Sequence, residues 1–244
     1  MRVHPRLSRT YGFTIIEMLV VVAIILVLLA IIVPSLQRSR EVSRRLVGQA
    51  NIRSLTQYVL AYAGRHDSKL PNLTKGSAHP NQLLLAERDE LVNVHQAPRE
   101  FFYSPTNPDL GSEDNLWNGV TFPGYAFIGY SYWAGNPLIS GPSAPSVDYT
   151  GIDEATLVRS VMPMGIDKVS TNKILWTDLA LRVNGAFTLS NQSTLNHYSG
   201  FPSKPIAGVS VGFIDTHVEF RYSNEVDLRM SLTDGLGTLY EHFW

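Results

Sequence analysis

The chain has no cysteine. Disulfides, thiol catalysis and cysteine–zinc sites are therefore excluded, and an exported domain of this kind must rely on its core or on an ion. It also lacks a surplus of charge. Lys and Arg number 20 against 21 Asp and Glu, for a formal net charge of −1, and such a balance gives no sign of a nucleic-acid surface. Phosphate-cradling glycine loops, HExxH pairs and CxxC pairs are all missing. An ordinary secretory signal peptide would need an apolar core of about 7–15 residues followed by a small-x-small cleavage site. Here the apolar run is longer, and Ile32-Val33-Pro34-Ser35 offers no such site.

What is present begins with Gly12-Phe13-Thr14-Ile15-Ile16-Glu17. From Phe13 to Val33 run 21 residues of which only Thr14 and Glu17 are polar. Roughly 20 residues at about 1.5 Å each cover the hydrocarbon core of a bilayer, so the run predicts one membrane-crossing helix. Glu17 stands out. A carboxylate in such a run costs on the order of 2.5–3.5 kcal/mol on insertion scales, so it calls for a partner unless it snorkels to the headgroups.

A short basic leader ending in glycine, an aromatic residue opening an apolar run, and a glutamate four residues later occur together. In these features the chain resembles the type IV pilins and the pseudopilins of type II secretion. The resemblance implies cleavage by a prepilin peptidase after Gly12 and N-methylation of Phe13. It also implies assembly roles for Glu17 and for Pro34, the family's mid-helix proline. Removing the leader takes away Arg2, Arg6 and Arg9, leaving 17 basic against 21 acidic residues and a net charge of −4.

Arg2, Arg6 and Arg9 suit a cytoplasmic leader. Arg38, Arg40, Arg44 and Arg45 crowd the other flank, so orientation rests on the resemblance, which places the head outside the cytoplasm. Beyond Pro34, where a kink is expected, Leu36, Val42, Leu46, Val47, Ala50, Leu55, Val59 and Tyr62 recur at mostly helical spacing. Gly64 and Leu70-Pro71 mark the end of a helix of about 50 residues, or roughly 75–80 Å. The expected divisions are a leader over 1–12, a transmembrane half over 13–33, an amphipathic half over 34–66 and a globular α+β head over 67–244.

Within the head, Gln82 to Arg88 reads as a short helix and Phe101-Phe102-Tyr103 as a strand. Ser104 to Gly124 and Gly135 to Gly151 read as loops, rich in Pro, Asn, Asp and Gly. Tyr125–Trp133, Lys173–Asp178 and Val209–Ile214 read as strands, and His217–Tyr222 closes a hairpin around Asp215-Thr216. Asn224 to Leu232 reads as a short helix. Asn72-Leu73-Thr74 and Asn191-Gln192-Ser193 fit the glycosylation sequon but read as loop residues. One long helix followed by antiparallel strands is an α+β pattern, with the helix packed on a sheet.

The head also resembles, more loosely, a pseudopilin-like group common in planctomycetes. The stretches are Ala50-Asn51-Ile52-Arg53-Ser54-Leu55, Leu70-Pro71, Phe102-Tyr103-Ser104-Pro105 and Phe213 to Glu219. That group has cysteine where Ser104 stands, glycine where Thr216 stands, and a shorter gap than that from His197 to Asp215. These departures leave any shared head chemistry open.

Gly208-Val209-Ser210-Val211-Gly212 matches G-x-S-x-G, which needs a strand before the serine and a helix after it. The strand pattern runs on through Phe213, so a small-residue strand is the better reading. Asp178, His197, Asp215 and His217 are metal-binding residue types without a fixed spacing, and Asp215 also suits a turn. Asp109, Glu113 and Asp114 offer the oxygen ligands calcium takes, without EF-hand spacing; a solvated acidic loop is the simpler reading. No cofactor is expected, with Ca2+ the one candidate ion.

The reading is thus a non-enzymatic subunit of a type IV pilus-like or type II secretion pseudopilus fibre. Its expected partners are prepilin peptidase, copies of itself or other pilin-like subunits, an inner-membrane assembly platform and membrane lipid. It would sit as a single-pass protein of the inner membrane before entering a periplasmic or cell-surface fibre. The alternative is a membrane-anchored exported enzyme or binding module whose head uses Ser210 or the Asp/His group.

Overall fold

A computed structural model describes residues 14–71, 79–112, 114–121, 123–134, 147–148, 173–183, 196, 206–226, 228–233 and 239–243. The chain divides into two compact units, Met1–Ser43 and Arg44–Trp244. Helix α1 (Ile15–Ala63) supplies the described part of the first unit and opens the second. It continues through Pro34. In the first unit every described side chain is exposed, including Ile15 at 85% and Ile31 at 71%. The helix is long and apolar enough to cross a bilayer, and its most apolar stretch is not buried in the protein, unlike that of a core helix.

In the second unit α1 buries one stripe: Gly48, Ile52, Leu55, Val59 and Ala63, with Asn51 and Thr56 beside it. The spacing of three and four places these residues on one side. The apolar periodicity from Leu36 to Ala50 is a different face: Leu36, Val42, Leu46, Val47 and Ala50 are exposed. Of the expected amphipathic set, Leu55 and Val59 are buried and Tyr62 is half-buried against the core.

The stripe meets a four-stranded antiparallel sheet in the order β3 (Tyr130–Tyr132), β5 (Ile174–Asp178), β7 (Gly208–Phe213) and β8 (Val218–Tyr222). The register pairs Tyr130 with Asp178, Trp176 with Gly212 and Ser210 with Phe220. At Gly212 helix and sheet approach so closely that a Cβ there would collide with Cγ2 of Ile52. Tyr132, Trp176, Leu55, Phe102, Leu83 and Leu91 join one core. Fully burying each large apolar side chain stabilises the fold by about 1.5–3 kcal/mol. Tyr132 and Trp133 have the polar ends of their rings satisfied, whereas Trp176 Nε1 is buried with no hydrogen-bond partner among the described residues. The Tyr132 hydroxyl donates to the Pro71 carbonyl at 2.9 Å, and Trp133 Nε1 donates to Thr177 Oγ1 at 2.9 Å.

Two further antiparallel sheets complete the described strands. One pairs β1 (Gln82–Leu84) with β2 (Tyr125–Phe127). The other runs β4 (Val147–Asp148), β9 (Leu228–Thr233), β10 (Leu239–Phe243), β6 (Leu181–Val183). A long N-terminal apolar helix with antiparallel sheets is the expected α+β, pilin-like class.

Several local expectations are corrected. Gln82–Leu84 is a strand, and the helix α2 begins only at Leu85 and runs to Asn93, because all three residues pair with β2 and Leu83 is buried there. Phe101-Phe102-Tyr103 is not a strand: Arg99–Phe102 forms a 3-10 turn. Pro98, at φ −63°, leads into it, and the Phe101 N–H bonds back to the Pro98 carbonyl at 3.1 Å. The expected 104–124 loop contains helices α3 (Pro108–Ser112) and α4 (Asp114–Trp117), the first opened by proline at N1. The 125–133 run splits at Gly129 into β2 and β3, which serve different sheets. Val147–Asp148, expected as loop, pairs with β9, and that strand, Leu228–Thr233, overlaps the helix expected over Asn224 to Leu232. Both sequons, at Asn72 and Asn191, include residues outside the described set.

Candidate functional site

Gly12 and Phe13, the expected cleavage and methylation residues, lie outside the described residues. The structure begins at Thr14, and there it shows something the expectations missed. Thr14 and Glu17 form a reciprocal cap at the start of α1. The Thr14 N–H and Oγ1 donate to Glu17 Oε2 at 2.8 and 2.7 Å, and the Glu17 N–H donates to Thr14 Oγ1 at 3.3 Å. This is a capping box, written in sequence as Thr-x-x-Glu. Glu17 therefore has a local partner before any other chain is invoked. The remaining lone pairs of the carboxylate stay available at an exposed surface.

In the head, the expected metal candidates are scattered. The Asp109 side chain, Glu113 and His197 lie outside the described residues. Asp114 accepts from Arg99 Nη1 at 2.5 Å, so its carboxylate is committed to a cation of the protein itself. Asp178 is buried at the end of β5. Its Oδ2 accepts the Ser210 N–H at 2.7 Å and its Oδ1 accepts from Asn196 Nδ2 at 2.9 Å. Asn196 also holds the Gly129 carbonyl at 2.6 Å, so Asp178 anchors a network joining β5, β7 and two loops. Among the described residues, no three His, Asp or Glu side chains converge as a metal site would require.

Asp215 and His217 do come together, at the β7–β8 turn. Asp215 Oδ1 is 3.1 Å from the His217 N–H and 2.5 Å from Nδ1, and the imidazole stacks on Phe213 at 4.0 Å. Partial burial pulls the Asp215 carboxyl up, but the hydrogen bonds and charge of His217 outweigh this and hold it below its ordinary value. The turn is fixed further by Arg53 of α1, whose Nε donates to the Thr216 carbonyl at 3.1 Å. Thr216 itself sits at φ +72°.

Ser210 lies in the middle of β7, not on a strand-to-helix turn, and its Oγ is buried with no hydrogen-bond partner among the described residues. That is not the exposed serine of a nucleophile elbow. Tyr130 faces the same helix–sheet layer, its hydroxyl 3.4 Å from the Gly48 and Tyr103 carbonyls. Burial, then the charge of Asp178, push its phenol well above the ordinary value, so it remains a neutral donor.

With this geometry in view, residues 7–33 match the prokaryotic N-terminal methylation motif. The match is confined to the N-terminal stretch that ends in the apolar part of α1. No curated protein and no solved structure matches the chain. The motif, with the long apolar helix and antiparallel sheets, supports a type IV pilin-like protein of the kind processed by prepilin peptidase and assembled with other pilin-like subunits.

Proposed function

We propose that the chain is a structural subunit of a type IV pilus-like or type II secretion pseudopilus fibre. The observation that carries this reading is the coincidence of the methylation motif with an exposed apolar helix opening on Thr14 and Glu17. Prepilin peptidase would cut after Gly12 and the new N-terminus, Phe13, would be methylated. The subunit would wait in the inner membrane with its head outside the cytoplasm, then be drawn by an assembly platform into a fibre. There Glu17 would meet the charged N-terminus of a neighbour, since a buried carboxylate is tolerable only when paired. The divisions 1–12, 13–33, 34–66 and 67–244 describe the leader, the two helix halves and the head in this scheme. The Asp215-x-His217-Val218 turn supports kinship with the planctomycete-type group.

The test is maturation. Co-expressed with a prepilin peptidase, the full chain should lose residues 1–12 and gain one methyl group by intact mass. Gly12→Val should keep the leader, because a side chain at the cut obstructs the peptidase. Normal processing of that variant, or no processing of the parent chain, would refute the assignment.

A further inference from the structure

A groove of about 470 Å³ opens on the head between α1 and the segment from Arg99 to Gly111. Its lining is mainly apolar: Val47 of α1, 51% exposed, with Phe101, Tyr103, Pro105 and Pro108. Burial pushes the Tyr103 hydroxyl up to about 12, against the opposing charges of Arg99 and Arg88, and it donates to the Phe127 carbonyl at 2.9 Å. It therefore brings no charge to the wall. Arg99 is committed to Asp114 at 2.5 Å and to the Gly111 carbonyl at 3.3 Å. That leaves Glu100, exposed in the groove lining, whose carboxylate has no hydrogen-bond or ion-pair partner among the described residues. An apolar trough with one uncompensated carboxylate is complementary to an apolar side chain with a cation close by.

The chain carries such a segment. Arg38 and Val42 lie one turn apart on α1, so they share a face, and both are exposed, Val42 at 45%. We propose that the Arg38–Val42 turn of a second copy of this chain docks in the groove, with Val42 against the apolar walls and Arg38 against Glu100. The two surfaces are different patches, so the contact is heterologous and repeats from copy to copy instead of closing a pair. This rests on the fibre reading and names the part of the head that receives the neighbouring subunit.

The absence of cysteine makes the test clean. In the native host, full-length chains carrying Val42→Cys and Pro108→Cys should cross-link on mild oxidation into dimers, trimers and longer ladders. Either single variant should stop at dimers. Adding Glu100→Arg should cut the ladder by about tenfold, because like charges brought together at an interface are strongly unfavourable. A further Arg38→Glu should restore it. No ladder from the double variant, or one indifferent to Glu100→Arg, would overturn the docking. Electron microscopy of the same cells separates the two readings. Fibres without the ladder refute the docking alone, the ladder without fibres refutes the fibre reading alone, and absence of both refutes both.

Discussion

Thr216 is a β-branched residue held at φ +72°, in the left-handed region where an L side chain crowds its own backbone. The conformation is imposed from three sides. Its N–H bonds to the Phe213 carbonyl at 3.0 Å, its carbonyl accepts from Arg53, and the Asp215–His217 pair closes the turn around it. The cost of a left-handed L residue is roughly 1–2 kcal/mol. Thr216→Gly removes that strain, yet glycine loses more freedom on folding, by about 0.5–1 kcal/mol. The net expectation is stabilisation by about 0.5–1 kcal/mol. For a unit of this size the midpoint should rise by about 1–4 °C. Trp133 and Trp176 are buried and report the transition by fluorescence, with the full chain kept in detergent micelles to cover its apolar helix. Thr216→Ala is the control, since its Cβ retains most of the strain. A glycine variant that melts at or below the parent, or an alanine variant that gains as much as glycine, would refute the strain argument.

The remaining expectations concern packing, the serine and acid sensitivity. Gly212→Ala should destabilise by about 1–3 kcal/mol through overpacking against Ile52, and combining it with Ile52→Ala should cost less than the sum of the two in urea melts. Ser210→Ala should shift stability by no more than about 1 kcal/mol, because its buried hydroxyl has no bond to lose among the described residues. The parent chain should also ignore fluorophosphonate probes; stoichiometric labelling at Ser210 would bring the hydrolase alternative to the front. His95 is held below its ordinary pKa by burial first, then by Arg65 and His66, with Glu90 opposing. As pH falls the unfolded chain therefore takes up this proton first. The stability from neutral His95 is present above about pH 6.5 and lost on acidification. His95→Phe should flatten the fall in midpoint between about pH 7 and 5; an unchanged slope would show that His95 does not drive it.

The long helix was legible because a single uninterrupted signal specifies it: 21 residues with two polar exceptions, then helical periodicity to Gly64. The strands β5, β7 and β8 were legible for a similar reason, each being a compact β-rich run near a turn signal. The short elements were not. At Arg99–Phe102 the β propensity of two phenylalanines pointed to a strand, while Pro98 and two local hydrogen bonds chose a turn. Asn224 to Leu232 reads as a helix, but pairing with β4 and β10 makes Leu228–Thr233 a strand. In the head, the Asp178 network joins residues 18 and 32 positions apart, a distance that only the β5–β7 register and the Asn196 loop can close. At the N-terminus the missed feature was in plain sequence. Thr14-x-x-Glu17 spells a capping box, but the unusual placement of a carboxylate in an apolar run drew the reading outward, toward another chain.

That cap sharpens what Glu17 means for the proposed assembly. Exposed isoleucines, leucines and valines along α1 need an environment other than water, and lipid or neighbouring helices would serve them equally. Glu17 breaks that tie. Lipid penalises an ionised carboxylate by on the order of 2.5–3.5 kcal/mol, whereas a protein interior can supply a cation. The Thr14 cap uses Oε2 to satisfy the helix start, and so lowers the cost of waiting in the membrane without supplying a charge. On the fibre reading, Glu17 is thus held ready in the first environment and satisfied only in the second. Replacing it with valine removes the penalty of the membrane and the gain of assembly together. Glu17→Val should therefore insert at least as well as the parent and enter fibres poorly. Membrane fractionation and fibre yield, measured on the same cells, separate these effects. Fibre entry at the parental rate would mean that the pairing does not drive assembly.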